Sequence, residues 1–363
     1  MTKKQTTVFD YISWRGDISL SELSPNEVDS LVFSLISYID FDGIVPSPEE
    51  NRGIALLPAV RRYLKKHKGE DQRLGLIMPK ESLLLLARAA KSKRFGEVRL
   101  SCYVNHICDG EQKQFSAITF RFNGADGREK AFVAFRGTDD TIVGWKENFN
   151  MSFMQPVPSQ LEAVAYLEAL SRTTDADIYV GGHSKGGNLA VYGAVKCAPH
   201  IKERIVSVYN FDGPGFDSDF VKGSDYLDMR ERIHTIVPQS SVIGMLLEHE
   251  ENYEVIKSYE AGLLQHNGMS WEVMGGSFTH LESVTSESRL IDETLKAWLE
   301  EMTAEQRQEA IDSIYSSLTS SNAKTLTDLN ADKRSLVKAW SSMNNESRAL
   351  VKKCITLLAK NSK

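Results

Sequence analysis

Short apolar runs alternate with amphipathic segments through the middle of the chain. Runs rich in β-branched and aromatic residues predict strands, and apolar residues at helical spacing predict helices. The predicted strands are 97–106, 114–122, 130–135, 177–181, 204–211, 232–237 and 253–258, and the main predicted helices between them are 161–170 and 187–198. Because strands and helices alternate, the pattern predicts an α/β fold with a mostly parallel central sheet and helices on both of its faces.

The two ends of the chain differ from this middle part. Residues 1–78 combine short helical signals with polar turns, and residues 301–363 are helical in pattern and strongly charged. Thr303 and Gln306 have the spacing of a capping box at the start of a helix. We therefore divide the chain into an N-terminal, mostly helical extension (1–78), a core (79–300) and a C-terminal helical appendage (301–363).

The clearest chemical signal is the pattern G-x-S-x-G at residues 182–186, which read Gly-His-Ser-Lys-Gly. A strand-like run precedes it and a helix-like run follows, which is the context of a nucleophile elbow. The glycines leave room for strand and helix to approach each other, so that the serine hydroxyl projects at the start of the helix. Ser184 is therefore the predicted nucleophile, and a glycine-rich turn with a capping serine is the alternative.

Two motifs resemble the class 3 lipases, a fungal-type family of α/β-hydrolases. Residues 182–190 (GHSKGGNLA) resemble the elbow of that family, and residues 133–138 (VAFRGT), followed by Trp145, resemble its FRGT strand end. The chain is more similar still to a bacterial branch of these hydrolases, the Mbeg-like proteins, which carries no established activity. The resemblance implies an α/β-hydrolase fold with an oxyanion hole formed by the backbone N–H groups of Thr138 and Lys185, with the Thr138 hydroxyl as a further donor.

A serine needs a neighbouring base, and in this fold the base is a histidine that comes after the acid in the chain. His266 lies in a loop after the last predicted strand, and the resemblance to the lipases, with their late H…W pattern, points to the same residue. His249 and His280 are the alternatives. His183 lies beside Ser184 in the elbow and is interpreted as a packing residue.

At the position of the triad acid, the chain departs from the lipase pattern. Class 3 lipases carry an aspartate in a segment that here reads VPQSSVI (237–243), with serines in its place. Asp212 ends the predicted strand after the elbow helix, where some other α/β-hydrolases, including pancreatic-type lipases, place the acid. It is therefore the predicted acid, with a structural Asx-turn as the alternative role. Glu248, Asp217 and a dyad without an acid are the remaining possibilities.

Composition narrows the range of partners. The net charge is −6, so nucleic acid and anionic membranes are not expected as partners. The four cysteines have no metal-ligand spacing and are expected to be free thiols, and no apolar run reaches the ~18 residues of a membrane span. With no secretory signal in the N-terminal residues, we expect a cytoplasmic protein without a metal or organic cofactor.

These features predict a serine hydrolase that cleaves carboxyl esters, from small molecules or lipids, through an acyl-enzyme on Ser184. No long amphipathic lid helix is evident, so short or medium acyl chains are expected. Apolar residues after the oxyanion segment either line an acyl pocket or belong to the core: Met151, Phe153, Met154, Pro156, Val157 and Pro158. The alternative function is a non-catalytic α/β-hydrolase-fold protein that binds a partner through its helical extensions.

Overall fold

The structure is a computed structural model that describes residues 5–50, 52–68, 81–139, 141–151, 154–290 and 303–319, with positions 293, 340, 341, 345, 348, 349 and 352. The described strands are β1 (Gly53–Ala55), β2 (Arg99–Cys108), β3 (Lys113–Asn123), β4 (Glu129–Phe135), β5 (Asp177–His183), β6 (Ile205–Phe211), β7 (Ile233–Pro238), β8 (Tyr253–Ile256), β9 (Val273–Met274), β10 (Ser277–Phe278) and β11 (His280–Leu281). The described α-helices are α1 (Val8–Arg15), α2 (Glu27–Ile36), α3 (Leu56–Lys66), α4 (Glu81–Lys91), α5 (Lys93–Gly96), α6 (Ile142–Asn150), α7 (Pro158–Ser171), α8 (Lys185–Lys196), α9 (Pro199–Lys202), α10 (Ser218–Val221), α11 (Ser224–Met229) and α12 (Ala304–Thr319).

Among the described residues, nine strands form one mixed sheet in the order β1-β2-β3-β4-β5-β6-β7-β8-β11. Pairing is parallel from β4 to β8 and antiparallel from β1 to β4 and between β8 and β11. The pairs β2–β3 and β3–β4 are antiparallel because short turns join their strands, and parallel pairing needs a longer crossover. The α/β-hydrolase fold predicted from the sequence is confirmed, with its parallel strands in the half that carries the predicted catalytic residues.

Strand order determines which helices cover each face of the sheet. Neighbours from β4 to β8 follow chain order, and right-handed crossovers that advance in one direction place their helices on the same face. Helices α7, α8 and α11 accordingly share one hydrophobic cluster with Val133 and Phe135 of β4. The opposite face of β4, with Phe132 and Ala134, packs in a second cluster with residues of α1 to α4.

The N-terminal helices therefore cover the face of the sheet that the crossover helices leave open. Helix α2 is buried along nearly its whole length, from Val28 to Ile36. Its start is capped by Asn26, whose side chain accepts the backbone N–H groups of Val28 and Asp29 at 3.0 Å. The proposed division at residue 78 stays a prediction, and helices before it share one hydrophobic cluster with strands after it.

Helix α12 contacts the core through α6. The predicted capping box is confirmed, since the Thr303 N–H donates to Gln306 Oε1 at 2.9 Å and the Gln306 N–H donates to Thr303 Oγ1 at 3.3 Å. Lys146 of α6 forms an ion pair with Asp312 at 2.8 Å, and its ammonium lies 4.3 Å from the centre of the Tyr315 ring. Most of the proposed C-terminal appendage lies outside the described residues.

Other expectations from the sequence concern single residues. Met151 and Val157 pack in the crossover-side cluster, Met154 is 37% exposed, and Phe153 lies outside the described residues. Cys102, Cys108 and Cys197 are free thiols, and Cys354 is not described. In the described part of the chain, no helix combines the length and the apolar character that a membrane crossing requires.

Candidate active site

Ser184 occupies a strained turn between β5 and α8. Its backbone angles are φ 59° and ψ −134°, a region that residues other than glycine rarely adopt. A Cβ atom added to Gly182 would lie 2.2 Å from the Gly186 carbonyl group, and one added to Gly186 would lie 2.1 Å from the Phe135 oxygen. Both motif glycines are therefore required by close backbone contacts, as the elbow interpretation predicts.

Asp212 and His266 form a hydrogen-bonded pair beside this turn. His266 Nδ1 lies 2.6 Å from Asp212 Oδ2. Because an ionised carboxylate only accepts, Nδ1 donates to it, and in the neutral ring Nε2 then has the lone pair that a general base requires. The other Asp212 oxygen accepts from the Ser241 hydroxyl at 2.5 Å and from the Gly244 N–H at 3.2 Å, so both oxygens of this buried carboxylate are hydrogen-bonded.

Ser241 accounts for the departure from the lipase pattern. It belongs to the segment in which class 3 lipases would carry their aspartate, immediately after β7. Here its hydroxyl donates to the carboxylate of Asp212, which follows the neighbouring strand β6. This role of Ser241 was not predicted from the sequence, although the two serines after Val-Pro-Gln stand where the lipases carry their aspartate.

Three hydrogen bonds hold the loop that carries His266. The Trp271 indole N–H donates to the Gln265 carbonyl at 2.8 Å, and the Gln265 side-chain oxygen accepts the Ser240 N–H at 2.9 Å. His183 Nε2 lies 2.6 Å from the His266 carbonyl oxygen and must donate to it, since a carbonyl only accepts. The backbone of the predicted base is therefore fixed on both sides of its side chain.

His183 is a hydrogen-bonding link as well as a packing residue. Its Nε2 proton is directed to His266, so its Nδ1 accepts from the Tyr38 hydroxyl at 3.0 Å. Burial, with additional repulsion from His266, lowers the pKa of His183 to about 3, which keeps the ring neutral. The sequence interpretation missed this link because Tyr38 lies 145 positions earlier in the chain.

Ser184 and the Asp212–His266 pair lie at adjacent strand ends. The Ser184 N–H donates to the carbonyl of Phe211, the residue before Asp212, at 2.9 Å. The His266 ring centre lies 4.5 Å from that of His183, the other neighbour of the serine. Within the described residues, no hydrogen bond joins Ser184 Oγ to His266.

Two groups near the elbow are suited to bind a developing oxyanion. Thr138 follows β4, and its buried hydroxyl has no hydrogen-bond partner among the described residues. Lys185 begins α8, where first-turn N–H groups lack an acceptor within the helix. Phe135 of β4 pairs with Gly182 of β5, so the two segments leave the sheet side by side.

The alternative bases lie in other surroundings. His249 Nε2 is 2.9 Å from the Gly244 carbonyl, and its Nδ1 is 3.1 Å from Glu251. His280 belongs to the edge strand β11, and its Nδ1 lies 3.2 Å from a carboxylate oxygen of Glu254. Of the three candidate histidines, His266 is the one that the structure pairs with a carboxylate at the strand end beside Ser184.

The alternative acids have structural partners. The Asp217 carboxylate accepts the Phe220 N–H at 2.8 Å and caps α10. Glu248 forms a backbone bridge with Phe216. The structure therefore brings Asp212 to His266, and it places Asp217 and Glu248 in other local contacts.

The fold and this constellation define the class: the protein has an α/β-hydrolase fold with a strained serine turn between β5 and α8 and an adjacent Asp–His pair. The chain belongs to the Mbeg1-like family, whose family model matches residues 89–316. Among solved structures it is similar to a crystal structure of M37 lipase, with 17% identity and a TM-score of 0.35 over 61% of this chain and 70% of that one. No curated protein matches the chain.

Proposed function

We propose that this protein is a serine hydrolase that cleaves carboxyl esters through an acyl-enzyme on Ser184. The observation that carries the proposal is the 2.6 Å hydrogen bond between His266 Nδ1 and Asp212, next to a serine held at φ 59°. A strained serine turn and an oriented imidazole with a free Nε2 together supply the nucleophile and base of acyl transfer.

The first half-reaction forms the acyl-enzyme. His266 Nε2 takes the proton of the Ser184 hydroxyl while Oγ bonds to the ester carbonyl carbon. The oxyanion is held by the N–H groups of Thr138 and Lys185, and the Thr138 hydroxyl is a further donor. When the C–O bond to the alcohol breaks, His266 returns the proton to the leaving oxygen, and the acyl group stays on Ser184.

The second half-reaction releases the acid. His266 takes a proton from a water molecule, whose oxygen attacks the acyl carbon, and the same oxyanion donors hold the negative charge. The bond to Ser184 Oγ then breaks, and His266 returns the proton to the serine. Throughout, the Asp212 carboxylate orients the ring and stabilises the imidazolium that forms in each step.

We propose soluble esters with short or medium acyl chains as substrates. Helix α6 follows the oxyanion segment, where class 3 lipases carry a lid. In this protein, α6 is held by the buried ion pair of Glu147 with Lys185 at 2.9 Å and by the ion pair of Lys146 with Asp312 at 2.8 Å. A helix tied at two points does not open at a lipid surface, so no rate increase is expected when esters exceed their solubility limit.

The test compares p-nitrophenyl ester hydrolysis by the wild type and by Ser184→Ala, with chain length varied below and above the solubility limit. Ser184→Ala is expected to remove hydrolysis while circular dichroism shows an unchanged fold. Ser34→Ala is the matched control, since Ser34 is equally buried but lies in α2 and bonds to the Ser30 carbonyl. Full activity of Ser184→Ala would contradict the proposal, and a folded but inactive wild type would favour the non-catalytic alternative.

A further inference from the structure

The side chain of Lys185 is fully buried beneath the elbow. Its ammonium donates to Glu147 Oε2 at 2.9 Å, to the Gln114 carbonyl at 2.5 Å and to Gln114 Oε1 at 2.7 Å. Because a lysine ammonium has three protons, each has its own acceptor. The mechanism above uses the backbone N–H of this residue and gives its side chain no role.

The partners of Lys185 connect the turn at Ser184 to the segment after β4 that contains Thr138. Glu147, which is also fully buried, accepts the Gln114 N–H at 3.0 Å and the Ser159 N–H at 2.9 Å. The Gln114 side chain donates in turn to the carbonyl of Gly137, the residue before Thr138, at 3.5 Å. One buried network therefore runs from the first residue of α8 to the residue preceding the second oxyanion donor.

Packing alone does not explain a charged pair at this place. Removing two charges from water is costly, and apolar side chains of similar volume fill such a space at equal or lower free energy. What an apolar pair does not supply is a set of directional hydrogen bonds that fixes β3, α6 and α8 relative to one another. The pair is therefore expected to fix the relative positions of these three elements.

We propose that the Lys185 side chain is a positioning residue that sets the separation of the two oxyanion donors, the N–H groups of Lys185 and Thr138. The inference rests on the proposed function. It predicts that loss of the Lys185–Glu147 pair weakens stabilisation of the oxyanion while Ser184, His266 and Asp212 stay in place. Substrate binding in the ground state changes little, so the loss falls on kcat and not on KM.

The experiment measures hydrolysis of p-nitrophenyl acetate and of its thiono analogue, in which C=S replaces C=O. Sulfur is a weak acceptor, so a well-positioned oxyanion hole favours the oxygen ester strongly and a loosened one favours it less. Lys185→Met is expected to lower kcat for the oxygen ester by roughly 10- to 100-fold. The rate ratio of oxygen to thiono ester is expected to fall with it.

Two further variants test whether an effect of Lys185→Met comes from the positions of the oxyanion donors or from a general loss of stability. Lys130→Met makes the same change to another buried lysine, which binds Asp126 at 2.7 Å and Asp177 at 2.6 Å at the far end of β4 from Thr138, and it is expected to keep the wild-type ratio. The double variant Lys185→Met/Glu147→Gln leaves no unpaired buried carboxylate and keeps an amide oxygen for the Gln114 N–H. It serves as the test protein if the single variant does not fold.

The outcomes distinguish this inference from the proposed function. A wild type that hydrolyses neither ester would overturn both. An active wild type with unchanged kcat and an unchanged oxygen-to-thiono ratio in the folded Lys185 variants would overturn the inference alone. Failure of both the single and the double variant to fold would give the pair a purely structural role and would also overturn it.

Discussion

His183 and Lys185 flank Ser184 in the chain, but their side chains join different parts of the molecule. His183 makes neutral hydrogen bonds, to the Tyr38 hydroxyl in the N-terminal region and to the carbonyl of His266. Lys185 forms a buried ion pair with Glu147 of α6, and Glu147 in turn accepts the Ser159 N–H of the crossover helix α7. We call the first set of contacts the base side and the second the oxyanion side.

The difference between the two sides follows from the charges that the reaction would create. The proposed reaction would form an imidazolium on His266, and a neighbouring positive charge would disfavour it. His183 meets this requirement because burial lowers its pKa to about 3 and keeps it neutral. Lys185 carries a positive charge, which the carboxylate of Glu147 balances. The oxyanion proposed beside Lys185 would be negative, so a positive charge there does not oppose the reaction. The two neighbours of the serine are therefore not interchangeable.

Asp212→Asn removes the carboxylate to which His266 Nδ1 is hydrogen-bonded on the base side. The asparagine cannot accept the Nδ1 proton as a carboxylate does, so we expect kcat for p-nitrophenyl acetate to fall roughly 10³- to 10⁴-fold. The oxygen-to-thiono ratio should stay at the wild-type value because the oxyanion side is intact. Asp217→Asn, at the exposed cap of α10, is the matched control and should keep full activity. A loss below 10-fold in Asp212→Asn would argue that another group orients His266.

His183→Leu weakens the base side without touching the proposed triad. The His266 carbonyl loses its donor, so the ring is held less well, and we expect kcat to fall roughly 10- to 100-fold. His183→Gln keeps an N–H donor for that carbonyl and should retain more activity. Steady-state kinetics of both variants check the order wild type, Gln, Leu. A change in the oxygen-to-thiono ratio would mean that the two sides are not separate.

The base side also affects the pH dependence of stability, which involves no change in activity. His183 has a pKa of about 3 in the folded protein against 6.5 for an unperturbed histidine. Between pH 6.5 and pH 3, His183 is therefore protonated in the unfolded chain and neutral in the folded protein. The free energy of unfolding falls as the pH falls through this range. The slope is at most about 1.4 kcal/mol per pH unit.

His183→Gln should make the free energy of unfolding fall less steeply between pH 6.5 and pH 4, measured by urea denaturation. His200→Gln, at an exposed position in α9, is the control and should keep the wild-type slope. Equal slopes in wild type and His183→Gln would show that the ring is protonated in the folded protein at these pH values.

The fold and the tight turn at Ser184 could be predicted from sequence because their signals are local. Alternating strand and helix patterns indicated the α/β fold, and two glycines around Ser184 mark a turn that close backbone contacts require. The prediction of Asp212 and His266 used chain order, strand ends and the resemblance to known lipases. The structure brings these two side chains together.

The supporting contacts could not be predicted because they join residues far apart in the chain. Tyr38 meets His183 across 145 positions, and Lys185 meets Gln114 across 71. Such pairs depend on which face a helix covers and on strand register, which no local pattern encodes. The same holds for Ser241, which meets Asp212 only because β6 and β7 are neighbours.

The most direct test of the central claim is peptide mapping after brief reaction with a fluorophosphonate. The probe phosphonylates a serine, with loss of fluoride, rapidly only when a neighbouring base activates the hydroxyl and an oxyanion hole receives the P=O oxygen. The account predicts one labelled peptide, modified at Ser184, with labelling lost in Ser184→Ala and strongly slowed in Asp212→Asn. Labelling at another serine, or a folded wild-type protein that stays unlabelled, would contradict it.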